Sequence, residues 1–151
     1  MYTNSVFINI LQDVLRFWLD KGVDGFRIDA MMFAYEDKQL RDEPLSGLTD
    51  DPNNYDYTEK IYTTSQLSSY ELIPTWRQVL NEYEQPKYLM IEAYSNMSAT
   101  MKYYHYEADF PFNFNFVTNL TRDSTAADFN HLVDSWYANL PKGGTPNWVV
   151  S

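Results

Sequence analysis

Cysteine is absent from the 151 residues. That excludes a disulfide scaffold, a thiolate metal site and a cysteine nucleophile. It leaves the compartment open, because a chain this long can bury a sufficient core without cross-links. Basic residues are scarce: 11 Lys and Arg stand against 21 Asp and Glu, for a formal net charge of −10. Without a basic cluster there is nothing to contact phosphates, which argues against nucleic acid and against an anionic membrane surface. No apolar run is long enough to span a bilayer. Met1-Tyr2-Thr3-Asn4 has neither the basic n-region nor the apolar h-region of a signal peptide. The two histidines, His105 and His131, have no carboxylate at ligand spacing, so no zinc site is expected. There is no glycine-rich phosphate loop and no nucleophile elbow.

What is present is a core-forming composition. Hydrophobic residues make up 44% of the chain and aromatics 17%, which places it among globular domains rather than disordered segments. Two acceptor sequons, Asn96-Met97-Ser98 and Asn119-Leu120-Thr121, are glycosylation candidates at Asn96 and Asn119 should the protein be secreted.

Apolar residues at Phe7, Ile10, Leu11, Val14 and Trp18 predict a first helix, capped by Asn4 or Ser5 and ended at Lys21-Gly22. Gly25-Phe26-Arg27-Ile28-Asp29-Ala30 then reads as a strand, with Phe26 and Ile28 on one face and Arg27 and Asp29 on the other. Residues 34–64 show no period and hold Asp37, Asp42, Glu43, Asp50, Asp51 and Asp56, with Pro44 and Pro52. They form a long loop, either functional or simply a solvated acidic surface.

A second helix follows on Leu72, Trp76, Val79, Leu80 and Tyr83, with Pro74 in its first turn or kinking it, and Gln85-Pro86 as its stop. Tyr88–Ala93 is an apolar strand containing one carboxylate, Glu92. A short amphipathic stretch (Met97, Met101, Tyr104) precedes an alternating run, Phe112–Phe116, expected as a third strand. Thr125 opens a last helix through Phe129, Leu132, Val133, Trp136, Tyr137 and Leu140, broken at Gly143-Gly144. Asn147–Val150 looks like the start of a fourth strand. Alternating strands and helices imply a parallel sheet with crossover helices. Polar groups at strand C-termini suit a (β/α)-barrel, of which this chain holds roughly half of the ~250 residues.

The chemistry rests on two carboxylates, Asp29 and Glu92, at the C-terminal ends of two strands expected to be neighbours. Such a pair can divide nucleophile and acid/base roles, and glycoside hydrolysis is the leading case. Arg27 beside Asp29 suits an ionised nucleophile, and Glu92, between Ile91 and Ala93, suits a general acid held protonated by burial. Taken alone, Arg27 and Asp29 read more readily as a buried structural ion pair, and it is the rest of the chain that reverses the preference.

The motifs are more specific than the spacing. Gly22-Val23-Asp24-Gly25-Phe26-Arg27-Ile28-Asp29-Ala30 resembles the strand-4 signature of the α-amylase family of glycoside hydrolases. Met90-Ile91-Glu92-Ala93-Tyr94 resembles its strand-5 signature, Asp109-Phe110-Pro111-Phe112-Asn113-Phe114 its strand 6, and Pro146-Asn147-Trp148-Val149 the lead-in to strand 7. The resemblance is nearest to insect-type maltases, which are α-glucosidases, and covers nearly the whole chain.

The resemblance implies a partial (β/α)8 barrel, roughly strands 4 to 7, with residues 1–151 forming part of one catalytic domain and no second domain. It implies Asp29 as nucleophile, Glu92 as acid and then base, Arg27 as the residue that holds Asp29, and Ala30 as a small substrate-side residue similar to that of members preferring α-1,4 links. It implies small α-glucosides as substrates and secretion or membrane anchoring of the full-length protein. No cofactor is expected, and the family's calcium positions fall largely outside this segment. Several family features are not found: the His-Asp pair after the strand-7 motif, the strand-3 Asp/His motif, strands 1 to 3 and 8, and a Gln-Pro-Asp-Leu-Asn segment before the first helix. Met32-Phe33 occupy the region where a histidine commonly follows the nucleophile. Without the missing barrel segments the isolated chain is expected to be inactive. The alternatives are a non-catalytic receptor or scaffold relative and a transglycosylase with the same catalytic pair.

Overall fold

The computed structural model of the protein describes residues 5–150. Three short parallel strands carry the architecture: β1 (Gly25–Ile28), β2 (Tyr88–Ile91) and β3 (Phe110–Pro111), in the order β1-β2-β3. Helix α1 (Ser5–Asp20) precedes the sheet, α2 (Leu67–Leu80) crosses from β1 to β2, and α3 (Met97–His105) crosses from β2 to β3. Helices α4 (Asn115–Asn119) and α5 (Ala126–Asn139) follow. Register is in step, with Arg27 beside Met90 and Ile28 beside Ile91. The sheet is an open arc.

The core lies between β2 and the helices α1 and α2. Leu89 and Ile91 of β2 are fully buried, as are Ile73 and Val79 of α2. Each such side chain contributes roughly 1.5–3 kcal/mol by leaving water. Helix α1 reaches this core through Leu15 and Leu19, with Ile8 and Leu11 packed beside them. The expected stripe is therefore corrected: Ile10, Val14 and Trp18 are exposed. The helix is apolar over most of its circumference, so periodicity does not choose the face that meets α2. Ser5 is already helical, and Asn4, the other expected cap, lies outside the described residues. The C-terminal end is as expected. Gly22, at φ 94°, donates its N–H to Leu19 O, and Val23 N–H reaches Trp18 O, the paired bonds of a Schellman motif.

Pro74 stands in the interior of α2, not in its first turn, and Thr75 Oγ1 donates to Leu72 O at 2.6 Å beside it. The helix ends at Leu80, ahead of Gln85-Pro86. Two expected strands do not form. Phe112–Phe116 turns instead of extending: Asn113 is buried and its Oδ1 accepts from Asn115 N–H at 3.0 Å, which bends the chain into α4. Asn147–Val150 makes one backbone bond toward the sheet region, Val149 N–H to Asn113 O at 3.1 Å, and no ladder among the described residues. Helix α5 does start at Thr125, through a capping box with Asp128. It ends at Asn139, before Pro141 and ahead of Gly143-Gly144.

Candidate active site

Parallel pairing decides where the two carboxylates go. Asp29 and Glu92 are the residues immediately after the paired Ile28 and Ile91, so both stand at the C-terminal rim on neighbouring strands. Glu92 is tied to the other strand on both sides. Its N–H donates to Ile28 O at 2.9 Å, and its carbonyl accepts from Met31 N–H at 3.0 Å. Gly25 permits this approach at the far end of β1, because a Cβ there would fall on the carbonyl oxygen of Tyr88.

Arg27 joins the pair. Its Nη2 donates to Asp29 Oδ1 at 3.1 Å and to Glu92 Oε2 at 2.8 Å. The two oxygens share one nitrogen, so they can be no farther apart than the sum of those distances. That bound is short of the ~6.5–9.5 Å span of inverting glycosidases and leaves room for the ~5–5.5 Å of retaining ones. The environments differ sharply: the Asp29 side chain is 74% exposed and that of Glu92 15%. The Glu92 carboxyl is held above its ordinary range, first by the Asp29 carboxylate beside it and then by burial. The Ala30 N–H and the Arg27 charge pull the other way. The upward direction agrees with the sequence-based expectation, but its leading cause is the neighbouring carboxylate and not burial. Nor is Glu92 remote from a cation, since Arg27 reaches it across the sheet.

Ala30 adopts a left-handed conformation, φ 49° and ψ 39°, which costs a non-glycine residue roughly 1–2 kcal/mol. The turn sends the chain straight into the short 3₁₀ segment Met31–Phe33 and leaves Ala30 N–H 3.4 Å from Glu92 Oε2. Ala30 thus meets the general-acid candidate through its backbone.

Aromatic rings stand beside this rim. Phe112 N–H donates to Ile91 O at 2.8 Å, and its ring centroid lies 5.7 Å from the Arg27 guanidinium. Phe114 and Tyr94 stack with centroids 3.9 Å apart and planes 17° off parallel. Tyr94, Phe112 and Phe114 line a cavity of about 480 Å³ with the polar groups of Asn96, Asn115 and Thr118. Sequence reading assigns the run 112–116 to a strand, whose alternation would put Phe112, Phe114 and Phe116 on one face and Asn113 and Asn115 on the other, and so gives none of the rings a place beside Arg27. The only available signal was the adjacency of Phe112 to the Asp109-Phe110-Pro111 motif.

The remaining candidates lie elsewhere. Asn96 is exposed and caps α3 by accepting from Ala99 N–H at 2.9 Å, and Asn119 is exposed at the end of α4. His105 and His131 are exposed on α3 and α5. Among the described residues no cluster of three or more His, Asp or Glu side chains is placed to hold a metal ion. The loop 34–64 is closed on itself by Glu43, whose carboxylate accepts from the N–H groups of Ile61 (2.9 Å), Tyr62 (2.9 Å) and Thr63 (2.7 Å) and from the Thr63 hydroxyl (2.6 Å).

Residues 1–150 match the family model described as "Alpha amylase, catalytic domain". The chain is 53% identical over 148 residues to an α-glucosidase of Apis mellifera, covering 98% of this chain and 26% of that protein. It is 46% identical over 159 residues to Maltase 1 of Drosophila virilis, covering 99% of this chain and 25% of that protein. Among solved structures it superimposes on the α-glucosyl transfer enzyme XgtA with a TM-score of 0.83 at 27% identity, covering 99% of this chain and 29% of that one. The chain spans about a quarter of the length of these relatives. With its parallel strands, crossover helices and strand-end carboxylates, the chain is an arc of a (β/α)8 barrel and belongs to the α-amylase catalytic-domain family.

Proposed function

We propose that the protein carrying this segment is a retaining α-glucosidase of the maltase type, acting on small α-glucosides such as maltose. The observation that carries the reading is the single guanidinium nitrogen shared by an exposed Asp29 and a mostly buried Glu92 whose carboxyl is held above its ordinary range by the Asp29 carboxylate and by burial. In the first step an Asp29 oxygen attacks the anomeric carbon, the bond to the leaving oxygen breaks, and the Glu92 proton goes to that oxygen. In the second, water gives its proton to Glu92 and its oxygen to the anomeric carbon, releasing Asp29. Arg27 keeps the pair in register. Relatives named α-glucosidase and maltase, at 53% and 46% identity, support the substrate class.

Residues 1–151 form, in this reading, part of one catalytic barrel with 34–64 as its long strand-to-helix loop. The rest of the barrel is needed for activity, because the Asp29 side chain is largely exposed here and sub-ångström placement of a nucleophile requires surrounding support. The exposed sequon residues Asn96 and Asn119 fit a secreted or membrane-anchored full-length protein. Asn96 caps α3 through its oxygen, which leaves the amide nitrogen for a glycan.

The test is covalent trapping in the full-length protein. An activated fluoro-glucoside is expected to add one fluoroglucosyl mass to the peptide containing Asp29 as its leaving group departs, and Asp29→Asn to abolish both labelling and maltose hydrolysis. Hydrolysis retained by Asp29→Asn, or a label on another residue, would overturn the proposal.

A further inference from the structure

We propose that Phe112 is a positioning residue for the carboxylate pair, holding the Arg27 guanidinium against its ring so that one nitrogen stays between Asp29 and Glu92. This rests on the glycosidase reading for its kinetic consequences but not for its geometry. Arg27 is half exposed, and a long side chain with one donor nitrogen shared by two acceptors has other rotamers open to it. Among the described contacts, Asp29 and Glu92 hold it from the carboxylate side, and the Phe112 ring, at 5.7 Å, is the aromatic partner. That distance is within the ~6 Å reach of a cation–π contact.

Phe112 is itself well placed to act as a fixed wall. Its backbone N–H is bonded to Ile91 O at 2.8 Å, one residue before Glu92. The ring is braced by Phe114, with centroids 5.9 Å apart, and Phe114 in turn stacks on Tyr94. The row Tyr94–Phe114–Phe112 therefore ends on Arg27. The groups facing Arg27 in this arrangement are Asp29, Glu92 and the Phe112 ring. A displaced guanidinium leaves Glu92 without the charge that opposes its neighbour Asp29, so Glu92 keeps its proton to higher pH.

The experiment uses the full-length protein and two readouts. In Phe112→Leu the alkaline limb of the kcat/KM–pH profile is expected to move to higher pH, and kcat/KM at the optimum to fall roughly twofold to fivefold, the range of a partly exposed cation–π contact. The side-chain ¹⁵N–H resonance of Arg27 is expected to lose its ring-current displacement. Phe112→Tyr, which keeps the ring, restores both. Phe112→Met gives the same comparison should the leucine variant not fold. Phe114→Leu, which removes the brace but keeps the ring facing Arg27, is expected to move the alkaline limb in the same direction by less than Phe112→Leu does. An unmoved limb and an unmoved Arg27 resonance in Phe112→Leu overturn the proposal, as does a Phe112→Tyr variant that behaves like leucine. The NMR readout needs no turnover, so it stands even if Asp29→Asn shows that the glycosidase reading is wrong.

Discussion

Arg27 binds Glu92 more closely than it binds Asp29, at 2.8 Å against 3.1 Å from the same nitrogen, although Glu92 is 65 positions away and Asp29 only two. The guanidinium is thus a bridge across the sheet as much as a neighbour of Asp29. A lysine has one compact charge and no planar fork, so it cannot reproduce that shared geometry. Arg27→Lys is expected to lower kcat by roughly 10²-fold or more, the scale on which a preorganised donor is lost, with folding retained. Steady-state kinetics on maltose beside a thermal melt checks this; a kcat within threefold of the parent would contradict it.

Glu92 titrates above its ordinary range because the Asp29 carboxylate stands beside it and because it is mostly buried. A carboxyl raised in the folded state favours folding fully below its unfolded value, and that contribution is lost as pH rises through the folded value. At neutral pH an ionised Glu92 therefore costs stability. Glu92→Gln should raise the melting temperature at pH 7 by roughly 1–2 °C, with the gain shrinking toward pH 4, while abolishing hydrolysis. In Asp29→Asn the Glu92 carboxyl ¹³C signal should titrate at lower pH than in the parent. A Glu92 titration that does not move would remove Asp29 as the leading cause.

Glu43 shows the opposite sign. Burial pushes its carboxyl up, and the Thr63 hydroxyl together with the N–H groups of Tyr62, Thr63 and Ile61 overcomes this and holds it below the ordinary range. Its stabilisation is present above the unfolded value and lost as pH falls through the folded one. Glu43→Gln should open the 34–64 loop at neutral pH, at a cost of about 1–2 kcal/mol, and matter little in acid. Amide exchange at Ile61, Tyr62 and Thr63 reads this directly, and unchanged exchange at pH 7 would count against the clasp.

Gly25 has its Cα where a side chain would strike the Tyr88 carbonyl. Gly25→Ala must move β1 away from β2 or give up the bond from Tyr88 N–H to Asp24 O. We expect a loss of ~2 kcal/mol or more, in the range of overpacked sites, with reduced activity because Asp29 and Glu92 are aligned by this register. Urea unfolding measures the first effect and fluoro-glucoside labelling the second.

The Arg77 guanidinium, 11% exposed, donates to Glu107 O at 3.1 Å, to Lys87 O at 2.9 Å and to the Asp109 carboxylate, which in turn accepts from Leu89 N–H at 2.7 Å. It fastens α2 to the N-terminal ends of β2 and β3, away from the carboxylate rim. Arg77→Ala strands those acceptors and should cost about 3 kcal/mol by denaturant titration, while Asp29 labelling of the folded fraction is unaffected.

The elements with strong local signals were legible. Gly22 ends α1 because only a residue free to adopt positive φ completes that cap, and Thr125 with Asp128 starts α5 because two side chains satisfy two backbone donors within four residues. The alternating Phe112–Phe116 run misled because Asn113 turns the chain with its own side chain, a bond that outweighs alternation. Helix α1 shows the related limit: with apolar residues over most of its circumference, only contact with α2 selects Leu15 and Leu19.

By itself the sequence determined the chemical identities: a carboxylate after each of two apolar strands, an arginine two residues before one of them, and ordered motifs resembling the α-amylase family. Tertiary structure decided which groups meet. Parallel pairing of β1 with β2 put Glu92 beside Asp29, folded Arg27 across both, and set Phe112 under the guanidinium. Apart from Arg27 with Asp29, those contacts join residues 63 and more positions apart, and their geometry is set by strand register, which no local stretch of the chain encodes.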